Sequence, residues 1–108
     1  MNASVQSTFR ALADPSRRMM LVHLSQRDMT IAEVAERFDM TRAAVKKHLT
    51  ILEQGALISV HPKGRTRVNR LEAQALKPVS DWLDYFHRFW DQRLDKLQQA
   101  IEQERTSS

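Results

Sequence analysis

Residues 30–54 read TIAEVAERFDMTRAAVKKHLTILEQ, and the fold turns on how this stretch is divided. Thr30 followed by Glu33 is the T-x-x-E pattern of a capping box, so a helix starts here. Ile31, Val34, Ala35 and Phe38 then recur on one helical face. Asp39 and Met40 make a turn, and Thr41 is the next N-cap. In the second helix Ala44, Val45, Leu49 and Leu52 face inward, flanked by His48. At about 100° per residue, Ala43, Lys46, Lys47, Thr50 and Gln54 point the other way, with Arg42 at the projecting tip. A surface helix kept soluble by charge mixes Glu with its Lys. Here the first two turns carry Arg42, Lys46 and Lys47 without an acid, and Glu53 comes only in the last turn. Two helices, a tight turn and a cationic second helix are the layout of a helix-turn-helix, whose second helix enters the DNA major groove. The plainer reading is a solvated basic face on a helical domain.

The charge distribution sharpens that choice. The chain of 108 residues is formally +4. Residues 41–70 hold seven Lys and Arg (Arg42, Lys46, Lys47, Lys63, Arg65, Arg67, Arg70) against Glu53 alone, a net +6 that leaves −2 for the remainder. Gathering the excess into one segment is what a polyanion-binding surface requires. The length suits a single domain, 1–108, with a modest core. Only two Gly and three Pro argue against a turn-rich all-β fold. With no Cys, disulfides, thiolate metal sites and cysteine nucleophiles are excluded. No apolar run approaches the ~20 residues needed to span a bilayer. The opening MNASVQSTFRALAD has no long apolar core of the signal-peptide kind, so a cytoplasmic chain is expected.

Taken in order, Ser4 to Ala13 reads as a short helix with Val5, Phe9 and Leu12 on one stripe. Asp14-Pro15 starts the next, since Asp caps and Pro is tolerated where its missing N–H costs nothing. That helix runs to about Gln26 with Met19, Met20, Leu21 and Leu24 inward and His23 at the core edge. Arg17 and Arg18 near its start are placed against the helix dipole, which points to phosphate contact or to plain solvation. Gly55 is expected to end the 41–54 helix in a left-handed conformation. Leu57–His61 and Arg65–Leu71 read as two strands around a Pro62-Lys63-Gly64 turn. A basic-tipped hairpin straight after a helix-turn-helix is a wing, 57–71, suited to the flanking DNA backbone or minor groove. The alternative is an edge strand protected by its charges.

Glu72 to Leu76 is a helical turn, and Pro78 restarts the chain. From 79 to 103 the pattern is one long helix, with Val79, Leu83, Phe86, Trp90, Leu94, Leu97 and Ile101 in a stripe that Trp82, Tyr85 and Phe89 widen. Glu104 to Ser108 reads as a disordered tail. Five of the seven aromatic residues lie between Trp82 and Trp90, more apolar surface than one helix of a small domain needs. Pairing with a second copy would bury it; a monomer folding the helix back over its own core is the alternative. The expected interface is Phe9, Trp82, Leu83, Phe86, Phe89, Trp90, Leu94, Leu97 and Ile101.

Together these segments resemble the ArsR-type winged helix-turn-helix transcription regulators, over about Phe9 to Ile101. LADPSRRMMLVHL (12–24) is similar to that family's opening, MTRAAVKKHLTILEQGALI (40–58) to its recognition helix and following turn, and HPKGRTRVNRL (61–71) to its Gly-Arg wing. WLDYFHRFWDQRLDKL (82–97) looks like the C-terminal dimerisation helix of one branch. The resemblance implies a mainly α fold of about five helices with a two-stranded wing, dimerising through its terminal helices. The chain departs from the pattern in carrying Lys46 where many relatives have Ser, and Asn69 in place of a wing Tyr. The cysteine pair of the arsenic- and cadmium-type sensors would fall near Thr30 and Ala32, so that site is absent. A second metal site of the family lies on the C-terminal helix, where this chain offers Asp84, His87 and Asp91. One His among carboxylates is a poor donor set, and no metal or other cofactor is expected.

No catalytic pattern emerges: there is no Gly-rich phosphate loop, no H-E-x-x-H and no nucleophile elbow, and Asp81 and Asp84 sit on an amphipathic helix. The expected function is a sequence-specific, homodimeric DNA-binding regulator, a repressor acting on a palindromic operator in double-stranded DNA. Thr41, Arg42, Ala43, Lys46, Lys47 and Thr50 would face the major groove, and Lys63, Arg65 and Arg67 the backbone or minor groove. Two other classes stand beside it. One is a sensor in which a metal or small apolar effector binds near the aromatic helix and releases DNA. The other is a protein-interaction module that has lost DNA binding.

Overall fold

A computed structural model describes residues 3–107 of the chain, with side chains from 5 to 106. The order is α1 (Ala3–Leu12), α2 (Pro15–Gln26), α3 (Ile31–Ala35), α4 (Arg42–Gln54), β1 (Ile58–Lys63), β2 (Thr66–Leu71), a 3₁₀ turn (Ala73–Leu76), α5 (Lys77–Asp84) and α6 (His87–Ser107). This is a winged helix-turn-helix with six α-helices among the described residues, one more than expected. The helix starts follow the sequence closely. The Asp14 carboxylate accepts from the Arg17 amide, and Thr41 Oγ1 accepts from the Ala44 amide at 3.1 Å. At Thr30 the capping box is complete: the Glu33 amide donates to Thr30 Oγ1 at 3.2 Å, and the Thr30 amide donates to Glu33 Oε1 at 3.0 Å.

The core gathers Ala11 from α1, Met20, Leu21 and Leu24 from α2, Val34 from α3, and Val45, Leu49 and Leu52 from α4. Met29, Leu57 and Ile58 close it from the connections and β1. Met19, expected inward, is 48% exposed, because Met20 takes the central place beside Leu21 and Leu24. The stripe on α3 runs past the helix itself. After Ala35 the chain continues in short-range bonds, Arg37 N–H to Val34 C=O and Phe38 N–H to Ala35 C=O, so Phe38 still reaches inward. There it meets the His23 ring edge-on at 5.7 Å.

Gly55 does not adopt the left-handed conformation expected of it; its φ is −84°. The left-handed residue is Ala56, at φ 60°. Its N–H donates to Glu53 C=O, and the Leu57 N–H donates to Leu52 C=O, the paired bonds of a Schellman motif with Ala at the position glycine favours. Gly55 is needed for space instead. A Cβ there would stand 3.0 Å from Ser7 O and 3.2 Å from Ala11 Cβ, while Thr8 Oγ1 donates to Gly55 O at 2.8 Å. The two contacts seat α1 directly on the end of α4.

The first strand starts one residue later than expected and takes in Pro62 and Lys63, and the second starts at Thr66, so that Lys63 pairs with Thr66 across a two-residue Gly64-Arg65 turn. Gly64, at φ +63° with open space around it, supplies the positive φ such a turn requires. The expected single helix over 79–103 starts earlier, at Lys77, and is interrupted at Tyr85–Phe86. There Tyr85 and Phe86 donate three residues back, to Trp82 and Leu83, so the turn tightens without unwinding. The apolar spacing passes through such a turn almost unchanged and so gave no sign of it. Residues 104–107, expected to be a tail, continue α6; Ser108 lies outside the described residues. Every residue from Ser80 to Thr106 is exposed, so the helix does not fold back over the core. The radius of gyration is 19.6 Å, against about 13 Å for a compact chain of this length.

The Thr30 amide and the Arg27 guanidinium hold the Glu33 carboxylate down at about 2, from an ordinary 4.5. A depressed folded value stabilises the fold fully above the unfolded value, and that contribution is lost as pH falls toward 2. Urea midpoints measured from pH 7 to 2 should therefore fall less steeply below pH about 4.5 for Glu33→Gln than for the parent. Ala56→Gly should raise stability by about 1 kcal/mol by removing left-handed strain, and Gly55→Val should lower it by about 1–3 kcal/mol by forcing α1 off α4, both read by chemical denaturation.

Candidate nucleic-acid interface

Burial of Val45, Leu49 and Leu52 sets the rotation of α4 about its own axis. Thr41, Arg42, Ala43, Lys46, Lys47 and Thr50 are all exposed as a result. Thr41 is already engaged as the helix cap, and Thr50 Oγ1 donates to Lys46 C=O at 2.9 Å, leaving its lone pairs outward. Lys63, Arg65 and Arg67 are exposed along the hairpin. The wing and α4 are continuous: Lys46, Thr50 and Arg67 line one hollow whose floor includes Ile31, Leu49 and Val60.

Three cations bordering this surface or off it are paired with acids, and those on it are not. Arg27 pairs with Glu33 at 2.7 Å, Arg70 with Asp28 at 3.0 Å and Lys77 with Asp81 at 3.0 Å. Among the described residues, Arg42, Lys46, Lys47, Lys63, Arg65 and Arg67 enter no ion pair. Unneutralised charge on one continuous face suits an anionic partner. Arg70, counted with the basic segment in the sequence, is turned away to Asp28 and leaves that face.

Arg17 and Arg18 serve neither of the roles expected of them. Arg17 Nε donates to Ala11 O at 2.7 Å and its Nη2 to Arg10 O, while Arg18 Nη1 donates to Leu12 O at 2.8 Å. They cap the C-terminal carbonyls of α1, where positive charge suits the helix dipole. Arg17 Nη1 also lies 3.3 Å from His48 Nδ1; since a guanidinium only donates, that nitrogen accepts. His48 is thus a hydrogen-bonding residue at the α1–α2–α4 junction. Asp14, bonded by the Arg17 amide and close to the same guanidinium, is held below its ordinary pKa.

Asn69 has a role that sequence reasoning missed. It is 4% exposed, exchanges main-chain bonds with Met29 (3.1 and 2.7 Å), and adds Nδ2 to Met29 O at 3.1 Å. The wing is thereby stitched to the segment entering α3. One rung nearer the base of the hairpin Ser59 donates to Glu72, which lowers the Glu72 pKa, and lies 2.6 Å from His61 Nε2. Ser, not His, stands in the middle of this chain, which is the wrong order for activating a hydroxyl nucleophile.

The C-terminal arm presents the expected apolar stripe. Trp82, Leu83, Phe86, Phe89, Trp90, Leu94, Leu97 and Ile101 are 42–62% exposed. Phe9 is half-buried and meets Trp82 edge-on at 5.7 Å, and Trp82 meets Phe86 at 5.2 Å. Asp84, His87 and Asp91 do not converge. His87 and Asp91 pair at 3.6 Å one turn apart, and no group of three metal-ligating side chains occurs among the described residues. Among those residues no helix is long and apolar enough to cross a membrane.

A hairpin stitched to a helix-turn-helix, with unpaired cations along both, defines a DNA-binding winged helix-turn-helix. A helix-turn-helix domain family matches residues 12–61. The transcriptional repressor SdpR of Bacillus subtilis is 34% identical over 79 residues, 73% of this chain and 88% of the relative. The HTH-type transcriptional regulator Rv2034 of Mycobacterium tuberculosis is 32% identical over 101 residues, 94% and 92% of the two chains. The crystal structure of the ArsR family transcriptional regulator RHA00566 superposes with a TM-score of 0.72 at 35% identity, over 82% of this chain and 97% of that one. The chain belongs to the ArsR family of winged helix-turn-helix regulators; it is a DNA-binding transcription regulator and not an enzyme.

Proposed function

We propose that this regulator is a homodimeric repressor that grips a palindromic operator twice, with α4 of each copy in the major groove and each wing on the flanking backbone. The observation that carries this reading is the gathering of exposed cations without acidic partners on one continuous face of α4 and the wing, beside which Arg27 and Arg70 are each neutralised by an acid. In this reading Arg42 or Lys46 donates to guanine O6 and N7, and Ala43 touches a thymine methyl. Lys63, Arg65 and Arg67 act on phosphates, which position without specifying.

The self-association half of the reading rests on the C-terminal arm. A stripe of aromatic and aliphatic side chains along two helices, exposed from Trp82 to Ile101, is a poor surface for a monomer in water. The arm lies away from its own core, and a two-fold mate would cover both stripes at once. Such symmetry sets half-sites about one helical turn apart and makes the operator a palindrome. Occupying that site blocks transcription, and SdpR is named a transcriptional repressor.

Lys46→Ala should weaken operator binding and relax the base preference at one position, by about 1–3 kcal/mol, in a gel-shift series over single-base variants. Arg65→Ala should weaken all sequences alike and flatten the salt dependence by about one ion per protomer. A Lys46→Ala variant with unchanged base preference would displace α4 from the major groove. Trp90→Asp should sediment as a monomer and lose operator affinity; a variant still dimeric would move the interface off this stripe.

A further inference from the structure

Two hollows flank Lys46 and Thr50 on α4. The one toward the wing contains Arg67 and Glu53. The other, about 490 Å³, opens toward α1 and is lined by Arg10, Lys46, Lys47, Thr50 and Gln54 over the side chains of Ala43 and Ile51. It holds three cations and no carboxylate. Arg10 is exposed, and its guanidinium enters no ion pair or hydrogen bond among the described residues; its carbonyl accepts from Arg17 Nη2 at 3.1 Å and from the Ala13 N–H at 3.2 Å. Three like charges around one depression repel each other until an anion enters it, and a phosphate, like a carboxylate, is an anion that a guanidinium holds with two bonds.

The position of Arg10 says which phosphates. Phe9, one residue earlier, meets Trp82 at the root of the apolar arm. Successive side chains on a helix diverge by about 100°, so α1 offers Phe9 to the arm and Arg10 to the edge of α4 opposite the wing. In a two-fold dimer closed through the arms, that edge faces the symmetry axis. We propose that Arg10 binds the DNA backbone beside the operator dyad, so that each α4 is held between an outer grip by the wing and an inner grip by α1. The proposal rests on the dimeric, DNA-bound reading above.

The test uses the full chain and a duplex that the purified protein selects from a randomised pool. Arg10→Gln should lose about tenfold in affinity at ~0.1 M salt, and its log–log salt slope should be shallower by about two per dimer, at ~0.9 per lost contact. Base preference and the sedimenting dimer should be unchanged, and Arg10→Lys should recover part of the loss. Neutral methylphosphonates at the central steps should weaken the parent and leave Arg10→Gln nearly unaffected. Parental affinity and slope in Arg10→Gln, equal sensitivity of both proteins to the central methylphosphonates, or a loss that accompanies dissociation of the dimer would each overturn the proposal. In those cases the parent still selects a palindrome and Lys46→Ala still relaxes it. A parent that selects no duplex overturns the underlying reading and the Arg10 contact with it.

Discussion

The inward face of α4, Val45, Leu49 and Leu52, lies against Val34 of α3, Met20 and Leu24 of α2 and Ala11 of α1 within one buried cluster. These side chains can be buried in only one rotation of the helix, and that rotation turns Arg42, Lys46 and Lys47 to solvent. Both ends of α4 hold it there. Thr41 caps the start, and the Schellman bonds through Ala56 and Leu57 close the finish, with Leu57 itself buried. The charged surface is therefore a by-product of apolar packing: strain or slippage in the core would misdirect the cations even with each of them intact.

Electrostatics completes what packing begins. Three acids near the helix-turn-helix are spent on structure: Glu33 on the cap of α3 and on Arg27, Asp14 on the cap of α2, and Asp28 on Arg70. Arg17 and Arg18, which lie beside α4 in the fold, are spent on the carbonyls of α1. Along α4, the wing and Arg10 the cations keep their charge unneutralised. Such a face repels itself in the free protein and gains from releasing the counterions of a polyanion.

Much of this was legible in the residues. Helix starts at Asp14, Thr30 and Thr41 follow from side chains that bond their own main chain within three residues, and a sequence displays such local chemistry directly. The cationic face followed from helical periodicity, since Ala44, Val45, Leu49 and Leu52 name the opposite side. The misreadings concern contacts between distant segments. Gly55 was read as a conformational residue, yet its need is the close approach of α1, more than forty positions earlier. The parts of Arg17 and Asn69 depend on carbonyls brought near only by the tertiary fold, and Arg10 lay outside the apolar stripe by which its helix was recognised. The tightened turn at Tyr85–Phe86 changes bonding without changing spacing, so periodicity was blind to it.

Asn69 ties β2 to Met29 by three hydrogen bonds from a nearly solvent-free position. A wing pinned in this way cannot swing independently of the helix beside it, and the DNA-reading head behaves as one stiff body. In a two-headed assembly the adjustable quantity is then the separation and tilt of the heads, set where the C-terminal arms meet. A change in how the arms meet would then be read at the DNA as a change of span between two rigid jaws.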